Sequence, residues 1–374
     1  MRLMRAALSG LCACSFTHGV GGGDAGSEKM IDAPDAKMIG ADCYGAGIVS
    51  VCFTTPPPAD YTIATTTNVN TDDASCTQVV TQPGGPDLCV HAAQSVHITG
   101  TLIATGTRPL VLVATTTLDI AGQIDVSSHF ASGNDLIGAG SATGATLCGS
   151  PTNGGNDALG GTTTGAGGGA GGTLGGKGGD GARGRNNAGG TAGTAVPAIG
   201  ISTIVRGGCS GTAGGTGDAN AGGEGGHGGG AVYLIAGTSI TIAGTINASG
   251  QGGRGGATLA GGGGGGAGGF IGLDAPAITS SGIVFANGGG GGEGGGQNGG
   301  GGFGSSGQSA TNQAAGGTGN INGGNGGRGA ATTNVDGEAG ATDVNGGGAG
   351  GGGIGVIRLY PSRTLGGTVS PTPS

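Results

Sequence analysis

Ile240-Thr241-Ile242-Ala243-Gly244-Thr245-Ile246-Asn247-Ala248 reads apolar-x-apolar-x-Gly-x-apolar-x-small. The pattern returns at 96–104, 118–126 and 278–286, with Gly100, Gly122 and Gly282 in the fifth place. A degraded copy surrounds Leu365, Gly367 and Val369. Most copies are preceded by a second apolar run, at 110–114, 231–236, 270–275 and 354–360. Alternation of period two puts one set of side chains on an inner face and the Thr and Ser set outside. The recurring glycine fits a tight bend or a close backbone approach. Each copy therefore predicts a strand pair that cannot bury its inner face alone and must stack on its neighbours.

Gly100 and Gly122 lie 22 residues apart, a suitable length for one turn of a parallel β-helix. The excess in the later spacings is almost all glycine-rich sequence, at about 138–230, 250–269 and 287–353. Insertions that enter at one point of a repeat map to loops on one face of a stack. The expected fold class is all-β, a parallel β-helix or solenoid-like array of strand pairs with long glycine-rich insertions. The alternative is a β-sandwich of hairpins with polyglycine-type loops, because period two does not separate parallel from antiparallel pairing. The insertions have two readings. Glycine loses the most entropy on ordering, which favours mobile loops. Backbones without side chains can also pack closely as extended helices of three residues per turn, helped by Cα–H···O contacts.

Composition excludes several classes. The chain has 374 residues, of which 103 are Gly, against an ordinary share of about 7%. With 13 Pro and no sustained Gly-x-y triplet it is not a collagen. Only 13 Lys and Arg are present, the net charge is −8, and no basic cluster occurs. A nucleic-acid partner, which needs a cationic footprint, is therefore not expected.

Arg2 and Arg5 precede a short apolar, small-residue run at 6–13, the order of a signal peptide over 1–13. Leu11-Cys12-Ala13-Cys14 resembles a lipobox, which makes Cys14 the expected lipidation site, with simple secretion as the alternative. Residues 14–42 read as a flexible tether. A disulfide-bearing segment follows at 43–89 and the repeat domain at 90–374. A membrane partner is expected only through the lipid anchor, since no later apolar run reaches the roughly 18 residues needed to cross a bilayer. The remaining cysteines are Cys43, Cys52, Cys76, Cys89, Cys148 and Cys209. An even number in an exported chain favours disulfides. Near neighbours point to Cys43–Cys52, Cys76–Cys89 and Cys148–Cys209, although sequence leaves 15 pairings open. No pair has C-x-x-C spacing and no His stands at finger spacing, so a zinc site is not expected.

The alternation of Thr/Ile-rich strands and glycine-rich insertions resembles the glycine-rich lipoproteins of myxobacteria and relatives. The phrases that carry the resemblance are Thr107-Arg108-Pro109-Leu110-Val111-Leu112-Val113-Ala114, Ala248-Ser249-Gly250, Ala286-Asn287-Gly288-Gly289-Gly290 and Cys14-Ser15-Phe16, with Asp32-Ala33-Pro34-Asp35-Ala36 in the tether. More distantly the chain is similar to mycobacterial glycine-rich surface proteins and to the glycine-rich region of some receptor kinase ectodomains. The resemblance implies a location at the outer membrane or cell surface, or secretion, rather than a chemistry.

Chemical motifs are few. Residues 171–177 satisfy G-x-x-x-x-G-K, but Gly178 follows where a P-loop needs the Ser or Thr that holds magnesium. Residues 175–182 imitate one calcium nonapeptide, without the tandem units such rolls require. Glu224 and His227 offer a carboxylate and an imidazole, with no second His nearby. His97 and Asp119 occupy equivalent places in successive copies and should be stacked outer-face neighbours. With Asp125 they form the one constellation that imitates a polysaccharide-cleaving β-helix, without its carboxylate cluster or aromatic platforms. Asn247-Ala248-Ser249 is a formal sequon within a strand. No catalytic residue, metal or cofactor is assigned. The expected role is a surface or secreted structural and interaction protein. Its alternative is an adhesin for extracellular polysaccharide or matrix, with ice binding a distant variant and a β-helix polysaccharide-degrading enzyme more remote.

Overall fold

The structure, a computed structural model, describes residues 42–132, 134–141, 145–157, 165–199, 203–308, 311–319 and 322–374. The expected signal peptide, Cys14 and the tether up to residue 41 lie outside the described residues.

The chain runs in triplets of short strands. A hairpin of β1 (Asp42–Tyr44) and β2 (Val51–Phe53) comes first, followed by β3 (Tyr61–Ile63), β4 (Thr67–Asn70) and β5 (Gln78–Val80). The triplets that follow are β6 (Leu88–Ala93), β7 (Val96–Ile98) and β8 (Thr101–Thr105), then β9 (Leu110–Ala114), β10 (Thr117–Ile120) and β11 (Gln123–Asp125). Next come β12 (Ala231–Ala236), β13 (Ser239–Ile242) and β14 (Thr245–Asn247), then β15 (Phe270–Asp274), β16 (Ala277–Ser280) and β17 (Ile283–Phe285). β18 (Val356–Tyr360) and β19 (Thr368–Ser370) end the series.

Three sheets collect the triplets. Sheet I has the order β18-β15-β12-β9-β6-β5, sheet II β16-β13-β10-β7-β3, and sheet III β19-β17-β14-β11-β8-β4. Each triplet adds one strand to every sheet, so the chain visits I, II and III in turn and advances one strand each time. Among the named strands only β1–β2 and β5–β6 pair antiparallel; all other pairs are parallel. The fold is all-β with parallel sheets.

The glycine of the nine-residue motif stands at a bend, as its place in the pattern suggested. The motif is two strands in different sheets, folded at its glycine. The Gly100 carbonyl accepts the Gln123 N–H (2.8 Å), that of Gly122 accepts Thr245 N–H, and that of Gly244 accepts Ile283 N–H (both 2.9 Å). A β-carbon on Gly122 would collide with the Gly100 carbonyl, and one on Gly244 with that of Gly122. The corner therefore repeats glycine because backbone stacks on backbone there.

Register fixes the core. On the inner face of sheet I, Leu112, Leu234, Leu273 and Leu359 stack in one column and Leu110, Val232, Ile271 and Ile357 in another. Each such burial contributes about 1.5–3 kcal/mol relative to exposure. Sheet II supplies Ile98, Ile120 and Ile242, and sheet III Leu102, Ile124 and Ile246, to the same core. The outer face of sheet I is covered as well: Val111, Val113, Tyr233 and Phe270 pack on Val51 and Phe53 of the hairpin and on Leu174 and Val205 of an insertion. That is why β9, β12 and β15 are buried at every position, whereas β8 and β10 alternate.

All three insertions enter between a sheet III strand and the next sheet I strand, and they are packed. The segment 260–269 shows how. N–H groups of Gly261, Gly264 and Ala267 donate to Gly215, Thr212 and Cys209. Those of Gly262, Gly265 and Gly268 donate to Gly347, Gly350 and Gly353, and those of Gly263, Gly266 and Gly269 to Arg254, Gln251 and Ala248. Its carbonyls accept from three further segments: Gly169 and Gly172; Gly223, Gly226 and Gly229; Gly289 and Gly292. A partner that changes with period three identifies an extended helix of three residues per turn, here with six neighbours. No glycine of this segment has a positive φ. Its glycines are needed for space: a β-carbon on Gly264 would collide with the Ala170 carbonyl.

Candidate functional site

The cysteines join as Cys43–Cys52, Cys76–Cys89 and Cys148–Cys209, with S–S distances of 2.06, 2.07 and 2.09 Å. Three disulfides belong to an oxidising environment. Among the described residues no helix is long and apolar enough to cross a membrane. Cys76, Cys89 and His91 offer three metal-ligand atoms close together, but both sulfurs are committed to the disulfide. Arg206, 2% exposed, donates to the carbonyls of Leu147 and Gly207 and to Cys209 Sγ (2.8 Å). Burial lowers its pKa to about 10. It locks the Cys148–Cys209 bridge to its surroundings, a role sequence gave no sign of.

Residues singled out by sequence mostly serve local structure. His97 and Asp119 face each other across β7 and β10, Nδ1 to Oδ2 at 3.3 Å, both well exposed. Exposed pairs of this kind contribute about 0–1 kcal/mol. Asp125 does not join them. It lies in sheet III, is 8% exposed, and accepts the Ser127 N–H at 2.9 Å. Lys177 pairs with Asp180 (2.9 Å), whose other oxygen accepts the Ala195 N–H, so the nonapeptide imitation is a strut between glycine helices. Asn247 accepts the Ser249 N–H through its side chain.

Glu224 and His227 prove to be part of something larger. The packing of the insertions carries them next to Arg254, which forms the centre of a mixed cluster. Arg254 Nη2 donates to both oxygens of Asp135 at 2.9 Å, and its Nε lies 3.2 Å from Glu224. The guanidinium sits 5.4 Å from the ring centre of Phe130 and 5.5 Å from that of Phe303, the rings themselves being 5.4 Å apart. Phe303 is 54% exposed. Beneath them Gln251, buried, accepts the His227 N–H with its Oε1 (3.0 Å). Its side-chain amide helps to stabilise the Asp135 carboxylate charge. Burial works to raise the Asp135 pKa. Gln251, Arg254 and His227 outweigh it and hold the carboxyl below its usual range.

A cleft of about 620 Å³ opens beside this cluster, lined by Ala131, Asn134, Asp135, Leu136, Ile137 and His227 with Thr105 and Thr107 at its edge. Its size is that of small-ligand sites, about 300–1,000 Å³. Four contributing stretches, 130–137, 224–227, 251–254 and 303, are separate in sequence. Beyond the Glu224 and His227 pair, the only available signal was that Phe303 and Arg254 are bulky or charged residues in glycine-rich surroundings. Comparison of the chain with family models, with curated proteins and with solved structures finds no match.

Proposed function

We propose that the chain is an exported, non-catalytic scaffold at the cell surface, whose three parallel sheets wind as a β-helix buttressed along one side by packed glycine helices. The observation that carries this reading is the six-neighbour packing of 260–269. It commits backbone hydrogen bonds of all three insertions to one rigid body and leaves few side chains free for chemistry. The disulfides fit the oxidising exterior. Attachment through a lipid on Cys14, and kinship with the glycine-rich lipoproteins of myxobacteria, belong to the same proposal. Metabolic labelling with a fatty acid tests the anchor: label lost in Cys14→Ser supports it, and label retained there overturns it.

A second reading, favoured by the Arg254 cluster and its cleft, is that the scaffold presents an adhesive site for extracellular matrix. Retention of the purified full chain on whole cells and matrix, saturable and competed by soluble matrix, supports it. Absence of such retention overturns it.

A further inference from the structure

Charge is scarce in this chain, at 9% of residues, and it is not scattered evenly. Among the described residues two of the four ion pairs, and both cation–π contacts, converge on Arg254. Arg254 holds two carboxylates and two aromatic rings at once, so it cannot move away from Asp135 without breaking the other contacts. Asp135, so held, presents a pre-formed edge to the cleft.

The chemistry of that edge limits what can enter. The Arg254 charge is already shared between Asp135 and Glu224, so a phosphate or carboxylate would find no uncommitted cation and would meet two carboxylates. The faces of Phe130 and Phe303 are engaged by Arg254, so an incoming cation would find no vacant aromatic cage. What the cleft offers is apolar wall from Ala131, Leu136 and Ile137, the last 40% exposed, interleaved with the Asn134 amide, the His227 ring and the Asp135 oxygens. The Asp135 carboxylate is also stabilised by the side-chain amide of Gln251, which is 1% exposed. A neutral pyranose ring has the matching surface: hydroxyls around its rim for the amide, imidazole and carboxylate, and C–H faces for the aliphatic wall.

From this geometry we infer that the cleft between Asp135, Ile137 and His227 binds an uncharged saccharide unit of an extracellular polymer. The inference rests on the adhesive reading above and names its ligand. Gln251 and Arg254 act as positioning residues, holding the carboxylate whose oxygens accept sugar hydroxyls. Asn134, His227 and Ile137 make the contact. The charge balance gives the selectivity: a uronic-acid polymer should bind at least tenfold more weakly than its neutral counterpart.

The experiment measures affinity of the full chain for a neutral glucan, a neutral galactan and polygalacturonate, alongside retention on whole cells and matrix. Expected are saturable binding to a neutral polymer, a loss of tenfold or more in Asn134→Ala and in Ile137→Ala, and weak binding of polygalacturonate. Both substitutions are at exposed or half-exposed surface positions, and an unchanged thermal melt shows that the fold is intact; His227→Ala provides a third, independent variant. If matrix retention persists but no neutral polymer binds, if these variants bind as the parent does, or if polygalacturonate binds equally well, the saccharide assignment fails and the adhesive reading stands. If an apolar peptide displaces the polymer and binds more tightly, the assignment fails likewise. If nothing is retained on cells or matrix, the adhesive reading itself falls.

Discussion

Tyr233 donates its hydroxyl to Asp274 Oδ2 at 3.1 Å, and the same oxygen accepts the backbone N–H groups of Ala46 and Gly47 at 2.8 Å each. Tyr233 is wholly buried and Asp274 is 4% exposed. Burial, reinforced by the Asp274 charge, pushes the Tyr233 pKa far up. One carboxylate thereby pins the hairpin stretch to sheet I. Asp274→Ala leaves the buried Tyr233 hydroxyl and two partly buried N–H groups without their acceptor and should cost about 2–3 kcal/mol, whereas Tyr233→Phe should cost about 1 kcal/mol. Denaturant unfolding gives the totals, and hydrogen exchange at Ala46 and Gly47 shows whether the loss is local. Equal costs for the two variants would contradict this account.

Glycine packing makes a sharper contrast. Gly264→Ala forces a methyl against the Ala170 carbonyl and should destabilise by about 3 kcal/mol or prevent folding. Gly300→Ala meets nothing closer than the Gly256 carbonyl at 3.2 Å and should stay within about 1 kcal/mol of the parent. Thermal melts of the two single variants are the measurement.

Within the core, Leu234 lies between Leu112 and Leu273 in its column and is fully buried. Leu234→Ala should cost about 2–5 kcal/mol, the upper part of that range applying if neighbouring triplets cannot close on the cavity. Chemical denaturation decides the figure.

His91 stands at the end of that column, in register with Leu112, and its Nε2 is buried without a partner. Burial lowers its pKa below the ordinary 6.5. The folded state therefore favours neutral imidazole while the unfolded chain takes up a proton, so this contribution to stability is present above about pH 6.5 and is lost as the pH falls through that value. His91→Leu should remove the associated slope between pH 7 and pH 5 and raise stability at pH 5 by about 1 kcal/mol. Melting temperature followed against pH in parent and variant is the check; parallel curves would contradict it.

Much of the architecture is legible in the residue pattern. Sheets II and III are covered on one side, so their strands alternate, as Ile240-Thr241-Ile242 does, and the alternation is visible in sequence. The continuous run Leu110-Val111-Leu112-Val113-Ala114 marks burial on both faces. What covers the second face was not visible, because the partners Leu174, Val205 and Phe53 come from an insertion and from the hairpin. Glycine gave no hint of which segments touch, since a residue without a side chain carries no pattern of its own. The Arg254 cluster was hidden for the same reason: its members meet only because featureless segments align at a fixed three-residue period. Glu224 and His227 stand three residues apart, but their spatial neighbour Asp135 lies on the far side of the longest insertion.

That three-residue period also governs how such a chain can change length. Adding or removing three residues in 260–269 returns every following amide to a neighbour in the same direction, whereas adding one or two rotates the remainder onto the wrong partners. Length variation in the packed region is therefore quantised, like a reading frame written in backbone geometry, and tolerated insertions should fall at the turns between helices or come in threes.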